Sequence, residues 1–144
     1  MLLQVLAAFV ASLFFAVIFE APRRSLLAGG VAGALTWFFY SHLYEMGVDV
    51  GLAVFIATVI SALFCELMAR TMKMPVTILI VPAIIPLVPG GASYYSMFYF
   101  VKGDYTLGIA KATETFLVAG SIAAGVALVS VIYRIVRIGK NEYA

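Results

Sequence analysis

A proline- and glycine-rich motif in the middle of the chain holds the residues best suited to bind a ligand. It reads Pro82-Ala-Ile-Ile-Pro86-Leu-Val-Pro89-Gly90-Gly91-Ala-Ser93-Tyr94. An interior proline removes a backbone donor and clashes with the preceding turn, which costs a helix about 3 kcal/mol, so the motif predicts a break. A helix restarting after the glycines presents unpaired N–H groups and the positive end of its dipole, which suit a carboxylate.

The candidate substrate-binding residues are therefore those that follow the break or flank it: Pro86, Pro89, Gly90, Gly91, Ser93 and Tyr94. Glycine lets a ligand approach the backbone closely. The alternative is a proline-kinked helix that packs against its neighbours and binds nothing.

Ionisable side chains within the apolar runs are candidates for proton coupling: Glu114, Lys111, Glu66 and His42. A charge at the bilayer centre costs at least about 2.5–3.5 kcal/mol, so each such residue carries a functional hypothesis. Glu114 follows Lys111 by three residues, a spacing that allows pairing on one helix face. A structural ion pair is the alternative there.

The other two candidates have favoured alternatives. At Glu66, a surface pair with Arg70 is favoured over a proton site. At His42, a solvated pair with Glu45 is favoured over a proton relay or a metal site.

Composition defines the class of protein that must position these residues. Of 144 residues, 65% are hydrophobic and 11% charged, whereas soluble domains are about 45–50% apolar and about 25% charged. The chain is predicted to be an all-α integral membrane protein with a single transmembrane domain, 1–144.

Cys65 is the only cysteine, which excludes an internal disulfide and favours a packing role. We expect no metal, no cofactor, no nucleic-acid partner and no enzymatic activity.

Five apolar segments are long enough to span a bilayer, which takes roughly 17–25 helical residues. They are Leu2 to Phe19, Leu26 to Tyr44, Gly51 to Ala69, Pro75 to Val101 and Leu107 to Tyr133. The fourth contains the motif and is predicted to be two half-helices, Pro75 to about Pro86 and Ala92 to Val101. The first is predicted to be a retained span, because its arginines follow the apolar run instead of preceding it.

The distribution of basic residues predicts the orientation. Seven of the nine lysines and arginines share one side if all five segments cross: Arg23, Arg24, Arg70, Lys73, Arg134, Arg137 and Lys140. The positive-inside rule then places the N-terminus outside the cell membrane and the C-terminus in the cytoplasm. A re-entrant fourth segment would move the C-terminal basic residues outside, so a broken but complete crossing is favoured.

Small residues recur at a spacing that lets helix backbones touch. Gly29/Gly33 and Gly30/Ala34 form two such pairs, and Ser121/Gly125 forms another. Helix packing is the favoured interpretation.

Four blocks of the sequence together resemble the threonine/serine exporter (ThrE) family. They are Phe19-Glu20-Ala-Pro22-Arg-Arg24-Ser-Leu26-Leu-Ala-Gly29-Gly-Val-Ala-Gly33-Ala34, Glu66-Leu-Met-Ala-Arg70, the motif from Pro82 to Tyr94, and Gly103-Asp104-Tyr. The Ile-Pro-Leu-Val-Pro-Gly core is the most specific element. Specifically, the chain is similar to the short YjjB-type subunit, which corresponds to the C-terminal membrane half of fused exporters. Glu20 departs from the pattern, in which a neutral polar residue is more usual.

The resemblance implies a secondary exporter of small carboxylate-bearing metabolites, driven by the proton motive force. The cargo would be threonine, serine or a dicarboxylate such as succinate. It also implies a larger ThrE-type membrane subunit as partner, and a homo-oligomer is left open. The alternative function is a structural subunit that docks and stabilises the partner without binding substrate.

Overall fold

The structure, a computed structural model, describes the backbone of residues 1–141 and the side chains of residues 1–135. It contains α1 Leu2–Ile18, α2 Leu26–Glu45, α3 Val50–Met72, α4 Thr77–Ile84, α5 Gly90–Val101 and α6 Tyr105–Asn141. Short 3-10 turns occupy Arg23–Ser25 and Ile85–Leu87. The predicted all-helical membrane fold is confirmed, with no strand in the described part. The side chains of Arg137 and Lys140, which entered the orientation argument, lie outside the described residues.

The lengths of the apolar helices agree with the predicted segments. Three reach across a bilayer by length and composition: Arg23–Glu45, Val50–Met72 and Tyr105–Ile135. A fourth span results if α4 and α5, with their intervening turn, are counted as one bent unit. Helix α1 is shorter, at 17 residues, which is at the lower limit for a span.

The fourth segment is broken, as predicted, but its boundaries differ slightly from the prediction. Helix α4 includes Pro82 and ends at Ile84, and a 3-10 turn then continues to Leu87. The chain leaves helical geometry at Val88, with ψ of 125°. Helix α5 begins at Gly90, two residues before the predicted start. Pro82 therefore does not itself interrupt the helix, and the break lies between Leu87 and Gly90.

The bend across this break is 53°, which redirects the chain without reversing it. Helix α4 and its turn have 11 residues and α5 has 12. At 1.5 Å per residue, these two parts advance about 27 Å along the direction of α4 once the bend is allowed for. The hydrocarbon core is about 30 Å thick. The geometry therefore fits a broken crossing better than a re-entrant loop.

Helix α2 is the centre of the bundle and packs against α1, α3 and α4, while α6 packs against α3 and α5. The glycines of α2 allow close approach to α1. An added Cβ at Gly33 would overlap the side chain of Ser12, and one at Gly30 would lie 2.9 Å from the ring of Phe9. On α6, a Cβ at Gly125 would lie 3.0 Å from Thr58 of α3.

The buried core is built mainly from alanines and other small side chains. One cluster joins α2, α3, α4 and α6 and contains Ala28, Ala32, Ala62, Cys65, Ala69, Leu79, Ile80, Ala83 and Val129. A second cluster joins α3, the turn after α4 and α6, and contains Val54, Ala57, Leu87, Val118 and Ile122. This second cluster anchors the turn at Leu87 and so fixes the position of the break.

A cavity at the break of the fourth span

A cavity of about 170 Å³ lies beside the break, at the end of the bundle where α2 ends and α3 and α6 begin. A water molecule in the liquid takes up about 30 Å³, so the cavity has room for a small metabolite. Side chains from α2, α3, the break, α5 and α6 line it: Trp37, Tyr40, Val50, Val54, Pro86, Leu87, Pro89, Ala92, Glu114 and Val118. Two predictions made separately, the break and Glu114, therefore fall in one site.

The N-terminus of α5 leaves two backbone donors without an acceptor. The N–H of Gly90 donates to the carbonyl of Val88 at 2.8 Å, and the N–H of Ser93 donates to the carbonyl of Pro89 at 3.0 Å. Within the described residues, the N–H groups of Gly91 and Ala92 have no acceptor. Ala92 lines the cavity and Gly91 is the residue before it, so the two free donors lie at its edge.

The two glycines are exposed at the start of α5 and do not line the cavity. A Cβ added to Gly90 or Gly91 would meet no atom within 4 Å. Neither glycine has a positive φ, so neither is required by the backbone conformation or by packing within the described part of the chain. No contact within the described part of the chain accounts for either glycine.

Ser93 and Tyr94, two of the predicted substrate-binding residues, contact their own helix in the structure. The Ser93 hydroxyl donates to the carbonyl of Pro89 at 2.8 Å, so it is engaged with its own backbone. Tyr94 is 64% exposed and stacks on Phe98, one turn further along α5. Neither side chain lines the cavity at the break.

Glu114 and Lys111 form the close pair that their spacing predicts. Lys111 Nζ donates to Glu114 Oε2 at 2.6 Å, and about half of the Glu114 side chain remains exposed. Glu114 lines the cavity, whereas Lys111 does not. The carboxylate therefore faces both a counter-ion on its own helix and the space beside the break.

The remaining proton-coupling candidates lie elsewhere. Glu66 lies 3.9 Å from Arg70 Nε, as the four-residue spacing predicts, and both line a separate cavity at the turn between α3 and α4. The guanidinium of Arg70 also lies 4.4 Å above the Tyr133 ring. His42 is exposed near the end of α2 and stacks on Phe38, with no ion pair to Glu45 in the described residues. The structure does not bring Glu66 or His42 to the cavity.

Sequence reasoning missed several residues of the cavity wall. Trp37 and Tyr40 were not among the predicted site residues, yet both line the cavity, and their rings are 5.4 Å apart. They are three residues apart on α2 and so share one face. That shared face was the available signal, but only the tertiary structure places it against Pro86.

No group of three or more potential metal ligands occurs in the part of the chain that the structure describes. Cys65 is fully buried in the core. The cavity wall carries hydrogen-bonding groups on α5, Trp37 and Tyr40 and one carboxylate, Glu114.

Comparison with known proteins agrees with this architecture. The family model described as threonine/serine exporter, ThrE, matches residues 4–132. No curated protein and no solved structure matches the chain. The matched range includes the first five helices, the whole cavity wall and most of α6. The chain belongs to the threonine/serine exporter (ThrE) family, a family of membrane transporters.

Proposed function

We propose that this chain is the membrane subunit of a proton-driven exporter that holds a small carboxylate-bearing metabolite at the break between α4 and α5. The observation that supports the proposal is that one cavity is lined both by Pro86, Pro89 and Ala92 at the break and by Glu114 of α6. Interrupted helices in transporters commonly provide the substrate site, because their half-helix ends face the cargo.

In this scheme, the substrate carboxylate binds the free N–H groups of Gly91 and Ala92. These donors lie at the positive end of the α5 dipole, which favours an anion. Hydrogen bonds to a charged group are worth about 1.5–3 kcal/mol each, about twice those between neutral groups. Two such bonds would hold a carboxylate while leaving the rest of the molecule inside the cavity.

The charge of the cavity wall favours an amino acid over a dicarboxylate as cargo. Among the described residues, the wall contains one carboxylate, Glu114, and no lysine or arginine. An ammonium group would be attracted to Glu114, whereas a second carboxylate would be repelled by it. Threonine and serine carry an ammonium group, and succinate does not.

Glu114 is also the proposed proton carrier. It lies on α6 within the candidate span Tyr105–Ile135, and a charge inside a membrane span is costly to keep. Lys111 and the substrate ammonium would compete for the same carboxylate oxygens. Substrate release and proton binding at Glu114 are coupled in this way.

The proposal includes a larger membrane subunit as partner, and the orientation with the N-terminus outside and the C-terminus in the cytoplasm. A specific observation favours the alternative structural role: Gly90 and Gly91 are exposed, with open space around them, as expected where another helix packs closely. The two functions therefore make different predictions for the same pair of glycines.

The test replaces Gly90 and Gly91 together with alanine and measures both assembly of the complex and efflux of threonine from cells. Because neither Cβ would meet an atom of this chain, the subunit itself should fold. Gly120→Ala is the matched control, since it is also an exposed helical glycine with open space. Normal assembly with lost efflux supports the exporter site. Lost assembly supports the structural role and contradicts the proposed site.

A further inference from the structure

The indole N–H of Trp37 is a buried donor without an acceptor. Trp37 lines the cavity at the break, and its Nε1 atom exposes less than 1 Å² and has no hydrogen-bond partner in the described residues. An unsatisfied buried donor costs about 1–3 kcal/mol. Such a group at a cavity wall requires an explanation.

Two other buried polar atoms lack partners, the hydroxyls of Ser12 and Thr58. A hydroxyl on a helix can rotate to the carbonyl one turn earlier, as Thr36 does to Ala32 at 2.8 Å. The indole N–H cannot do this, because the rigid ring holds it away from its own backbone and it acts only as a donor. Of the three, Trp37 is the one that needs an acceptor from outside its own helix.

The position of the ring suits a contact with cargo. Trp37 and Pro86 also line a second cavity of about 300 Å³, formed with Gln4, Ala7, Ala8 and Ala11 of α1. The ring therefore stands between two spaces beside the break. Nε1 itself is covered in this arrangement, so a hydrogen bond to cargo requires the ring to turn toward one of these spaces.

We infer that Trp37 determines specificity: its Nε1–H donates a hydrogen bond to the hydroxyl oxygen of the bound metabolite. The inference rests on the proposed function, in which the N–H groups of Gly91 and Ala92 hold the carboxylate. Those donors come from α5, whereas the indole comes from α2, so the two can engage different ends of one small molecule. A hydroxyl-bearing amino acid satisfies the orphaned donor, and an analogue without the hydroxyl leaves it unsatisfied.

The test measures equilibrium binding of L-threonine and of L-2-aminobutyrate, which lacks the hydroxyl, to the full chain in lipid nanodiscs. A site built around a hydroxyl discriminates strongly against the analogue that lacks it, so the wild type should prefer threonine by about tenfold or more. Trp37→Phe should bring that ratio close to one. Trp37→His also shrinks the ring but keeps an N–H, and should recover part of the preference. Thermal unfolding of each variant checks the fold.

The chain has a single tryptophan, so a ¹⁵N-labelled sample gives one indole N–H resonance in an NMR spectrum. Its proton should move downfield on addition of threonine and stay in place with 2-aminobutyrate. A resonance unmoved by threonine, or a Trp37→Phe variant that retains the discrimination, would overturn the inference and leave the proposed function intact. A wild type that binds neither amino acid would overturn both.

Discussion

Glu114 is paired on its own helix and also lines the proposed site. It pairs with Lys111 at 2.6 Å, which spacing alone predicts, and it lines the cavity beside the break, which spacing cannot predict. Both side chains are more than one-third exposed, so neither belongs to the packed core. A substitution at Glu114 should therefore affect transport much more than folding.

We expect Glu114→Gln to abolish proton-driven efflux of threonine while leaving exchange of labelled for unlabelled threonine largely intact. Glutamine keeps the size of the side chain but cannot carry the proton, and exchange requires no net proton movement. The measurement compares net efflux with counterflow in proteoliposomes. Glu66→Gln is the matched control, because Glu66 also pairs with a basic residue on its own helix but does not line the cavity at the break. It should leave both activities near wild type. Equal loss of both activities in Glu114→Gln would assign Glu114 a structural role.

Trp37 shows where residue-level prediction failed. An aromatic residue near the end of an apolar run is most often an interfacial anchor, and Trp37 was not among the candidate site residues. Its place beside the same cavity as Pro86 depends on how α2 packs against the turn after α4. That packing arises from two sequence-distant elements and leaves no local signal.

The elements themselves were largely predictable, because apolar length and proline position dominate the structure of a membrane chain. The start of α5 was wrong by two residues because Pro89, which lacks an N–H, serves well as the residue before a helix. The first half-helix was predicted to run from Pro75 to about Pro86, and Pro82 does lie inside α4. It is buried at the contact with α2, where a Cβ on Gly29 would lie 3.8 Å from it.

The contact between α1 and α2 gives a test at the element scale. We expect Gly33→Ala to destabilise the fold by about 1–3 kcal/mol, because the new Cβ overlaps Ser12 and overpacking has costs of this size. Unfolding of the chain by denaturant in mixed micelles measures the effect. Gly120→Ala should be neutral or slightly stabilising, since its Cβ meets nothing and alanine favours helix.

The double variant Ser12→Gly with Gly33→Ala exchanges the small residue between the two helices and should recover most of the lost stability. No loss in Gly33→Ala would mean that α1 does not approach α2 as closely as the structure describes.

At the scale of the whole molecule, the bend of 53° and the advance of about 27 Å fit one broken crossing, which makes four spans with the three long helices. Five crossings, with α1 as the fifth, and an N-terminus outside remain predictions from the sequence. Neither argument depends on the substrate, so topology can be tested independently of transport.

We expect a cysteine at Asp104 to react with a membrane-impermeant maleimide in intact cells, and a cysteine at Asn141 to react only after the membrane is opened. Both are introduced into a Cys65→Ala background, which removes the one native thiol. Labelling of both positions from the same side would contradict five crossings and restore the re-entrant interpretation of α4 and α5.

The whole account depends on a carboxylate being held at the start of α5, and the most direct measurement compares binding of L-threonine and L-threoninamide. The amide keeps the hydroxyl and the ammonium group but removes the negative charge. We predict that the wild type binds the acid at least about tenfold more tightly, because charge-assisted hydrogen bonds are worth about 1.5–3 kcal/mol.

In the same assay, Gly91→Val should abolish binding of the acid by covering the free N–H groups, and Gly120→Val should leave it unchanged. Ser93→Ala should have an effect of about 1 kcal/mol or less, since its hydroxyl is already bonded to Pro89. Equal binding of acid and amide by the wild type, or full binding by Gly91→Val, would contradict a carboxylate site at the break.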